Sequence, residues 1–219
     1  MLFSIITITK GNPDGYARTR DSVKSQNFFD FEWVVVDGDI EEDEGIYDAM
    51  NKGIKRSTGT FMIFMNAGDT FAGPDVLSRM ASFASYDFLY GDAIEDGHIK
   101  PAHHNIAYGM PTHHQAMAFR RSDLRYDLKY DIAADYKYTA QAMAKGRSKY
   151  LGFPVCVFEQ GGVSQRSTAL ARAEQKAIRK ELGIRAPLAP VVQLASLIVK
   201  KSAPKLYWML RKRLITSRA

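Results

Sequence analysis

Phe61-Met-Ile-Phe-Met-Asn-Ala-Gly-Asp69 sets five consecutive apolar residues directly against a polar turn that ends in a carboxylate. A short apolar run of this kind, preceded by the Thr58-Gly59 stop, reads as a strand buried on both faces. Outward from it the same pattern recurs. Phe3-Ser-Ile-Ile-Thr-Ile-Thr9, Phe31-Glu-Trp-Val-Val-Val36 and Phe88-Leu-Tyr90 are further strand-like runs. Between them, a helix is expected around Tyr16–Gln26. A second, amphipathic one runs from about Gly45 to Ser57, with Ile46, Ala49, Met50, Gly53 and Ile54 at helical spacing. Strands separated by helices predict an α/β fold: a Rossmann-like, mostly parallel sheet with helices on both faces.

Each strand is followed by polar or acidic residues: Thr9-Lys10, Asp37-Gly38-Asp39, Asn66-Ala67-Gly68-Asp69 and Gly91-Asp92. Ligands of open α/β sheets sit beyond the carboxyl ends of the strands. One Asp-Gly turn would be ordinary loop chemistry, but four such clusters at one sheet edge favour a site. No Gly-rich basic loop or spaced-glycine fingerprint follows the first strand, which disfavours P-loop and dinucleotide chemistry. Carboxylates can hold phosphate through a divalent cation, Mn²⁺ or Mg²⁺, so a nucleoside diphosphate is the natural ligand.

The 219 residues carry 46% hydrophobic and 25% charged side chains, the balance of a globular chain with a real core. Disordered, collagenous and disulfide-scaffold classes are excluded. The lone Cys156 lies in an apolar strand-like run and reads as a small core residue in a reducing compartment. Charge is unevenly placed. Residues 1–165 hold 17 basic and 22 acidic side chains; residues 166–219 hold 13 basic and two acidic. The start of the chain reads as a strand rather than a targeting segment, and the apolar stretch from Pro187 to Val199 is too short to cross a bilayer.

In order along the chain stand Phe3–Thr9, Trp33-Val-Val-Val-Asp-Gly38, Gly45-Ile-Tyr-Asp-Ala-Met-Asn-Lys-Gly-Ile54, Phe64-Met-Asn-Ala-Gly-Asp69, Tyr90-Gly-Asp92, His114-Gln115, Ala134-Asp135-Tyr136 and Gly161-Gly-Val-Ser164. With this ordered set the chain resembles the family 2 glycosyltransferases of the GT-A fold, particularly bacterial enzymes of surface-polysaccharide synthesis of the colanic acid type. The resemblance spans about residues 3–165. It implies a nucleotide-diphosphate sugar donor, with a UDP-sugar favoured, and a glycan or lipid-linked acceptor hydroxyl. It implies nucleotide-side contacts at Thr9, Asp37, Asp43 and Asn66, a metal at Asp69, and Asp135 as the base of an inverting transfer. His114, Gln115 and Asp92 would lie toward the acceptor and donor sugar. Gly161–Ser164 would close over the diphosphate. Asn66 stands where an aspartate is often found, so the metal would have fewer charged protein ligands. Relatives place a helix and a strand between the Asp-Gly turn and Gly45; here only Asp39–Glu44 intervenes, and an edge strand is expected to be missing.

Plainer readings stand beside these. Glu41 and Glu42 fit a solvated loop, and Lys52 fits an i,i+4 partner of Asp48. His103, His104, His113 and His114 come as adjacent pairs, which aim poorly at one zinc ion. Asp92 could equally cap a turn. A sugar-phosphate nucleotidyltransferase and a non-catalytic, partner-binding family member are the rival readings.

Two units are therefore expected, a GT-A domain over 1–165 and a basic helical tail over 166–219. A helix through Leu170–Leu182 should end at Gly183. Apolar residues follow over Val191–Val199, and a last helix should carry Trp208 among Lys205, Arg211, Lys212 and Arg213. Such a tail suits an anionic membrane surface, which would place the protein peripherally on the cytoplasmic face. Packing on the body or on a partner is the alternative, and nucleic acid is the least fitting ligand.

Overall fold

The computed structural model describes residues 1–159 and 167–209. The expectations for Gly161–Ser164 and for the chain beyond Met209 lie outside the described residues. The first half follows the expected alternation: β1 (Phe3–Thr9), α1 (Pro13–Lys24), β2 (Phe31–Asp37), α2 (Ile46–Arg56) and β3 (Phe61–Phe64). Helix α1 begins earlier than its apolar pattern suggests. The Asn12 side chain accepts the Gly15 N–H, and Pro13 occupies the first turn, where its missing donor costs nothing. Helix α2 packs Gly53 against Ile6 of β1, where an added Cβ would meet the Ile6 methyl at 2.3 Å.

Then follow β4 (Thr70–Phe71), α3 (Val76–Ala81), β5 (Phe88–Glu95), β6 (His98–Lys100), β7 (Met117–Arg120), α4 (Ala134–Lys145), β8 (Ser148–Val157), α5 (Thr168–Glu181) and α6 (Ala189–Ser202). The sheet runs β2-β1-β3-β7-β5-β8-β4, with β6 paired to β5. Strands β1, β2, β3, β5 and β8 point one way, while β4, β6 and β7 are reversed. The chain leaves β1 through α1 to one side of it and leaves β2 through α2 to the other, so the order switches between β1 and β3. That crevice is where an open sheet holds its ligand.

Alternate residues of the central strands feed two cores. Phe3, Ile5, Phe61 and Ile63 pack with Val23, Leu77 and Met80 on one face. Ile6, Met62 and Phe64 pack with Met50, Ile54, Tyr126, Tyr136 and Tyr138 on the other. Burial on both faces is why these strands read as unbroken apolar runs. Segment 38–45 is a turn leading straight to α2, and β2 is the terminal strand of the sheet.

Two departures bear on the site. The Gly91-Asp92 pair does not end β5; the strand bulges there against β8 and continues to Glu95. Gly91 is required because a Cβ would meet the Phe153 carbonyl oxygen at 2.6 Å. The described part of the tail also packs on the body: Ile178 of α5 is fully buried in the α2/α4-side core. Gly183, at φ +67, ends α5 as expected, with the Ile184 N–H reaching back to the Arg179 carbonyl at 2.8 Å.

Candidate active site

The Asn66-Ala-Gly-Asp69 turn follows β3 at the switch point. The Ala67 N–H bonds the Ile8 carbonyl of β1 at 3.0 Å, which ties the turn to the neighbouring strand. Thr19 of α1 pins it from beneath: its hydroxyl donates to the Asp69 carbonyl at 2.7 Å and accepts the Gly68 N–H at 3.0 Å. Gly68 sits at φ +107 beneath the Glu159 side chain.

This geometry buries the Asp69 side chain, at 4% exposure. One carboxylate oxygen accepts the Glu159 N–H at 2.9 Å and the other accepts the Gln115 amide. Burial outweighs both bonds and pushes Asp69 up to about 7. Beside it, Asn66 Oδ1 is buried without a hydrogen-bond partner. An orphaned carbonyl oxygen next to an under-compensated carboxylate fits a hard divalent cation, whose remaining ligands would come from diphosphate and water. Among the described residues no cluster of three or more His, Cys, Asp or Glu could hold a metal, so the paired histidines form no such centre there.

Asn66 Nδ2 lies 3.4 Å from His114 Nε2, and His114 Nδ1 lies 3.8 Å from Asp135 Oδ2. Burial holds His114 down at about 3, so its imidazole is neutral. Asp135 stands in the first turn of α4 with 22% of its side chain open. It accepts the Tyr136 N–H at 2.7 Å and a longer bond from the Tyr47 hydroxyl at 3.4 Å. Burial dominates again and raises Asp135 to about 6, where a carboxylate can take up a proton near neutrality.

Asn66, Asp69, His114, Gln115 and Asp135 all line one cavity of about 1090 Å³, ample for a nucleotide-sized ligand with a second substrate. The other expected residues sit apart from it. Thr9 and Asp37 are register partners at the carboxyl ends of β1 and β2, along the same sheet edge. Asp43 holds the entry to α2, accepting the Gly45 N–H at 3.0 Å with Lys10 Nζ 3.9 Å away. The Asp92 expectation needs correction. Its carboxylate accepts the Ala102 N–H at 2.9 Å and the Tyr150 hydroxyl at 2.7 Å, inside the sheet. It shapes the wall from behind instead of facing a ligand.

No protein-family model matches the chain. Among curated proteins it is 27% identical over 229 residues to a PGL/p-HBAD biosynthesis glycosyltransferase of Mycobacterium bovis, covering 84% of this chain and 87% of that protein. A second relative, named only as a glycosyltransferase of Mycobacterium tuberculosis, is 29% identical over 198 residues, covering 73% and 76%. Among solved structures, S. aureus TarS 1-349 in complex with UDP superposes with a TM-score of 0.62 at 19% identity, over 72% of this chain. The mannosyltransferase PcManGT of Pyrobaculum calidifontis, in complex with GDP-Man and Mn²⁺, superposes with a TM-score of 0.60 at 15% identity, over 99% of this chain and 75% of that one. The chain is a GT-A-fold relative of the glycosyltransferases. It spans 60% of the TarS fragment.

Several residues around this cavity escaped the sequence reading. Glu159, just after β8, bonds Asp69 and is ion-paired with Arg18 of α1. Glu174 of α5 accepts the Asp131 and Ile132 N–H groups at 3.0 Å and the Ala133 N–H at 2.8 Å, in the segment that delivers Asp135. Tyr47 was visible within its motif without a role. Gln193, Ser196 and Lys200 of α6, with Tyr207 beyond it, line the far side of the cavity. No local pattern in the sequence marks those positions.

Proposed function

We propose that the protein transfers a sugar from a nucleotide-diphosphate donor, with a UDP-sugar favoured, to a hydroxyl of a glycan or lipid-linked acceptor, inverting the anomeric carbon. The supporting observation is the placement of Asp69, Asn66, His114 and Asp135 in one cavity at the switch point of the sheet. Relatives named for glycoconjugate synthesis and neighbours that bind UDP or GDP-Man favour the same reading.

In this reading Asp69 and Asn66 would hold Mg²⁺ or Mn²⁺, which when bound offsets the charge that develops on the departing diphosphate. Thr9 and Asp37, on the same edge, meet the nucleoside. Gln115 and the Glu159 N–H fix the Asp69 carboxylate, so its orientation is set before ligand arrives. His114, neutral and packed edge-on to Phe64 with ring centroids 6.3 Å apart, bridges the two ends of the cavity without adding charge. Asp135 removes the proton from the acceptor hydroxyl. As the acceptor oxygen bonds the anomeric carbon, the bond from that carbon to the diphosphate oxygen breaks, and nucleoside diphosphate leaves with the electron pair. The basic tail keeps the protein at an anionic membrane surface, where a lipid-linked acceptor is presented.

Calorimetric titration with UDP, GDP and CMP, with and without Mn²⁺, tests the donor site. Cation-dependent binding of one nucleotide diphosphate, lost in Asp69→Ala, is the expected result. Absence of binding under every condition would overturn the reading.

A further inference from the structure

Helix α6 is turned the wrong way round for a helix in water. Val191, Leu194 and Ile198, with Leu188 just before the helix, are 64%, 49%, 54% and 59% exposed and fall on one stripe. The opposite side faces the protein and carries the polar residues of the helix, Gln193, Ser196 and Lys200, among Ala189, Val192 and Leu197. There Gln193 Nε2 donates to the Tyr108 carbonyl at 3.1 Å and to Gln175 at 2.9 Å, while Ser196 and Lys200 line the cavity. Scattered exposed apolar residues are ordinary. An apolar stripe left exposed while Gln193, Ser196 and Lys200 of the same helix are turned inward is not.

The helix cannot rotate to correct this. Lys200 is bonded to Glu95, a carboxylate only 2% exposed that also takes Lys100 and His113, each at 3.1 Å. Burial opposes charge on Glu95, yet His113, Lys100 and Lys200 together hold it well below the usual carboxylate range. The rotation of α6 is therefore locked at its C-terminal end by Glu95, and nearer its N-terminal end by Gln193.

The outward stripe adjoins positive charge. Lys201, at the end of the helix, is exposed, and in the segment that follows Lys205, Leu206 and Met209 are exposed too, the last two at 43% and 48%. The tail as a whole holds 13 basic against two acidic side chains. No helix among the described residues is long and apolar enough to cross a membrane. An apolar stripe with a basic margin on such a helix matches the boundary layer of an anionic bilayer, in which the helix lies flat.

We propose that the stripe formed by Leu188, Val191, Leu194 and Ile198 is a docking surface for an anionic lipid bilayer. Helix α6 is then a partition one helix thick, with lipid on its outer side and the cavity on its inner side. An acceptor held in the bilayer enters beside α6 and meets Gln193, Ser196 and Tyr207 before it reaches Asp135. This deepens the acceptor side of the transfer reading and rests on that reading for its purpose, while the docking surface stands on the geometry of α6 alone.

Co-sedimentation of the full chain with phosphatidylcholine vesicles, with and without phosphatidylglycerol, reads the surface directly. The wild-type protein is expected to sediment with the anionic vesicles, and Leu194→Glu/Ile198→Glu to partition at least about tenfold less. Both positions are exposed, so the fold should survive, and unchanged UDP binding by calorimetry confirms it. Lys201→Glu/Lys205→Glu should remove the preference for anionic over neutral vesicles. Wild-type protein that stays in the supernatant with both vesicles, or a double variant that sediments as wild type does, would overturn the proposal. So would a wild-type dimer in solution that Leu194→Glu/Ile198→Glu dissociates, since the stripe would then belong to a second copy. Vesicle binding without nucleotide binding would instead defeat the transfer reading and leave the docking surface standing.

Discussion

Glu174 of helix α5 accepts the backbone N–H of Ala133 at 2.8 Å, two residues before Asp135, and its carboxylate also takes the N–H groups of Asp131 and Ile132. A side chain from the basic tail thus holds the segment that presents the expected base. Three backbone donors converging on one carboxylate are stronger than neutral hydrogen bonds and leave costly orphans if the acceptor goes. Glu174→Ala should therefore lower stability by about 2–4 kcal/mol. It should also lower kcat while nucleotide affinity stays near wild type, because the Asn66–Asp69 turn is untouched. Denaturant unfolding and calorimetry on the same variant check both halves; an equal loss of nucleotide binding would mean general unfolding instead of misplacement of Asp135.

Asp135 carries the pH dependence of turnover once cation and donor are saturating, a condition that keeps the Asp69 carboxyl ionised although burial alone raises it to about 7. Burial raises its carboxyl from about 3.8 to about 6, so the basic form predominates only above that value. The rate should fall about tenfold per unit as pH drops below about 6, and level off above it. Asp135→Asn should lose turnover and keep nucleotide binding. The sign for stability is the reverse. A carboxyl that holds its proton more tightly when folded favours the fold below about 3.8, and that contribution is lost as pH rises through about 6. Asp135→Asn, uncharged throughout, should thus be at least as stable as wild type near neutral pH, as a melting curve would show.

Gly68 tests the turn that carries Asp69. At φ +107 alanine is strained in its backbone, and its Cβ would also push aside the Glu159 carboxylate. Gly68→Ala should cost about 1–3 kcal/mol and displace Glu159 from Asp69. Cation-dependent nucleotide binding should weaken, with vesicle binding unchanged.

The wall built by α6 should act on the acceptor alone. Gln193 bridges Tyr108 and Gln175 across the cavity mouth, far along the chain from Asp69 and Asp135. Gln193→Ala should raise KM for the acceptor and leave the donor constant and the pH profile as they are. A changed donor constant would show that α6 reaches the nucleotide.

Where the pattern is local, residues alone carried the reading. Phe3–Thr9, Phe31–Asp37 and Phe61–Phe64 are strands because mainly apolar runs suit a sheet with helices on its faces, and α2 begins and ends within a residue of its pattern. The reading faltered where meaning depended on a distant partner. Gly91-Asp92 looks like a turn, and only the approach of the Phe153 carbonyl shows it to be a bulge inside a strand. Strand β7, four residues long, has no punctuation of its own and exists by inserting between β3 and β5.

The sequence by itself determined the α/β class and the sheet edge that bears the polar clusters, Asp69 among them, whereas Asp135 entered only through the family resemblance. These are consequences of hydrophobic periodicity and of motifs a few residues long. Only the tertiary structure decided that the tail belongs to the site: Glu174 meets Ala133 across 41 residues, and Lys200 meets Glu95 across 105. Contacts at such separations follow from how whole elements pack. The same packing turned Gln193, Ser196 and Lys200 of α6 inward and left Val191, Leu194 and Ile198 outside.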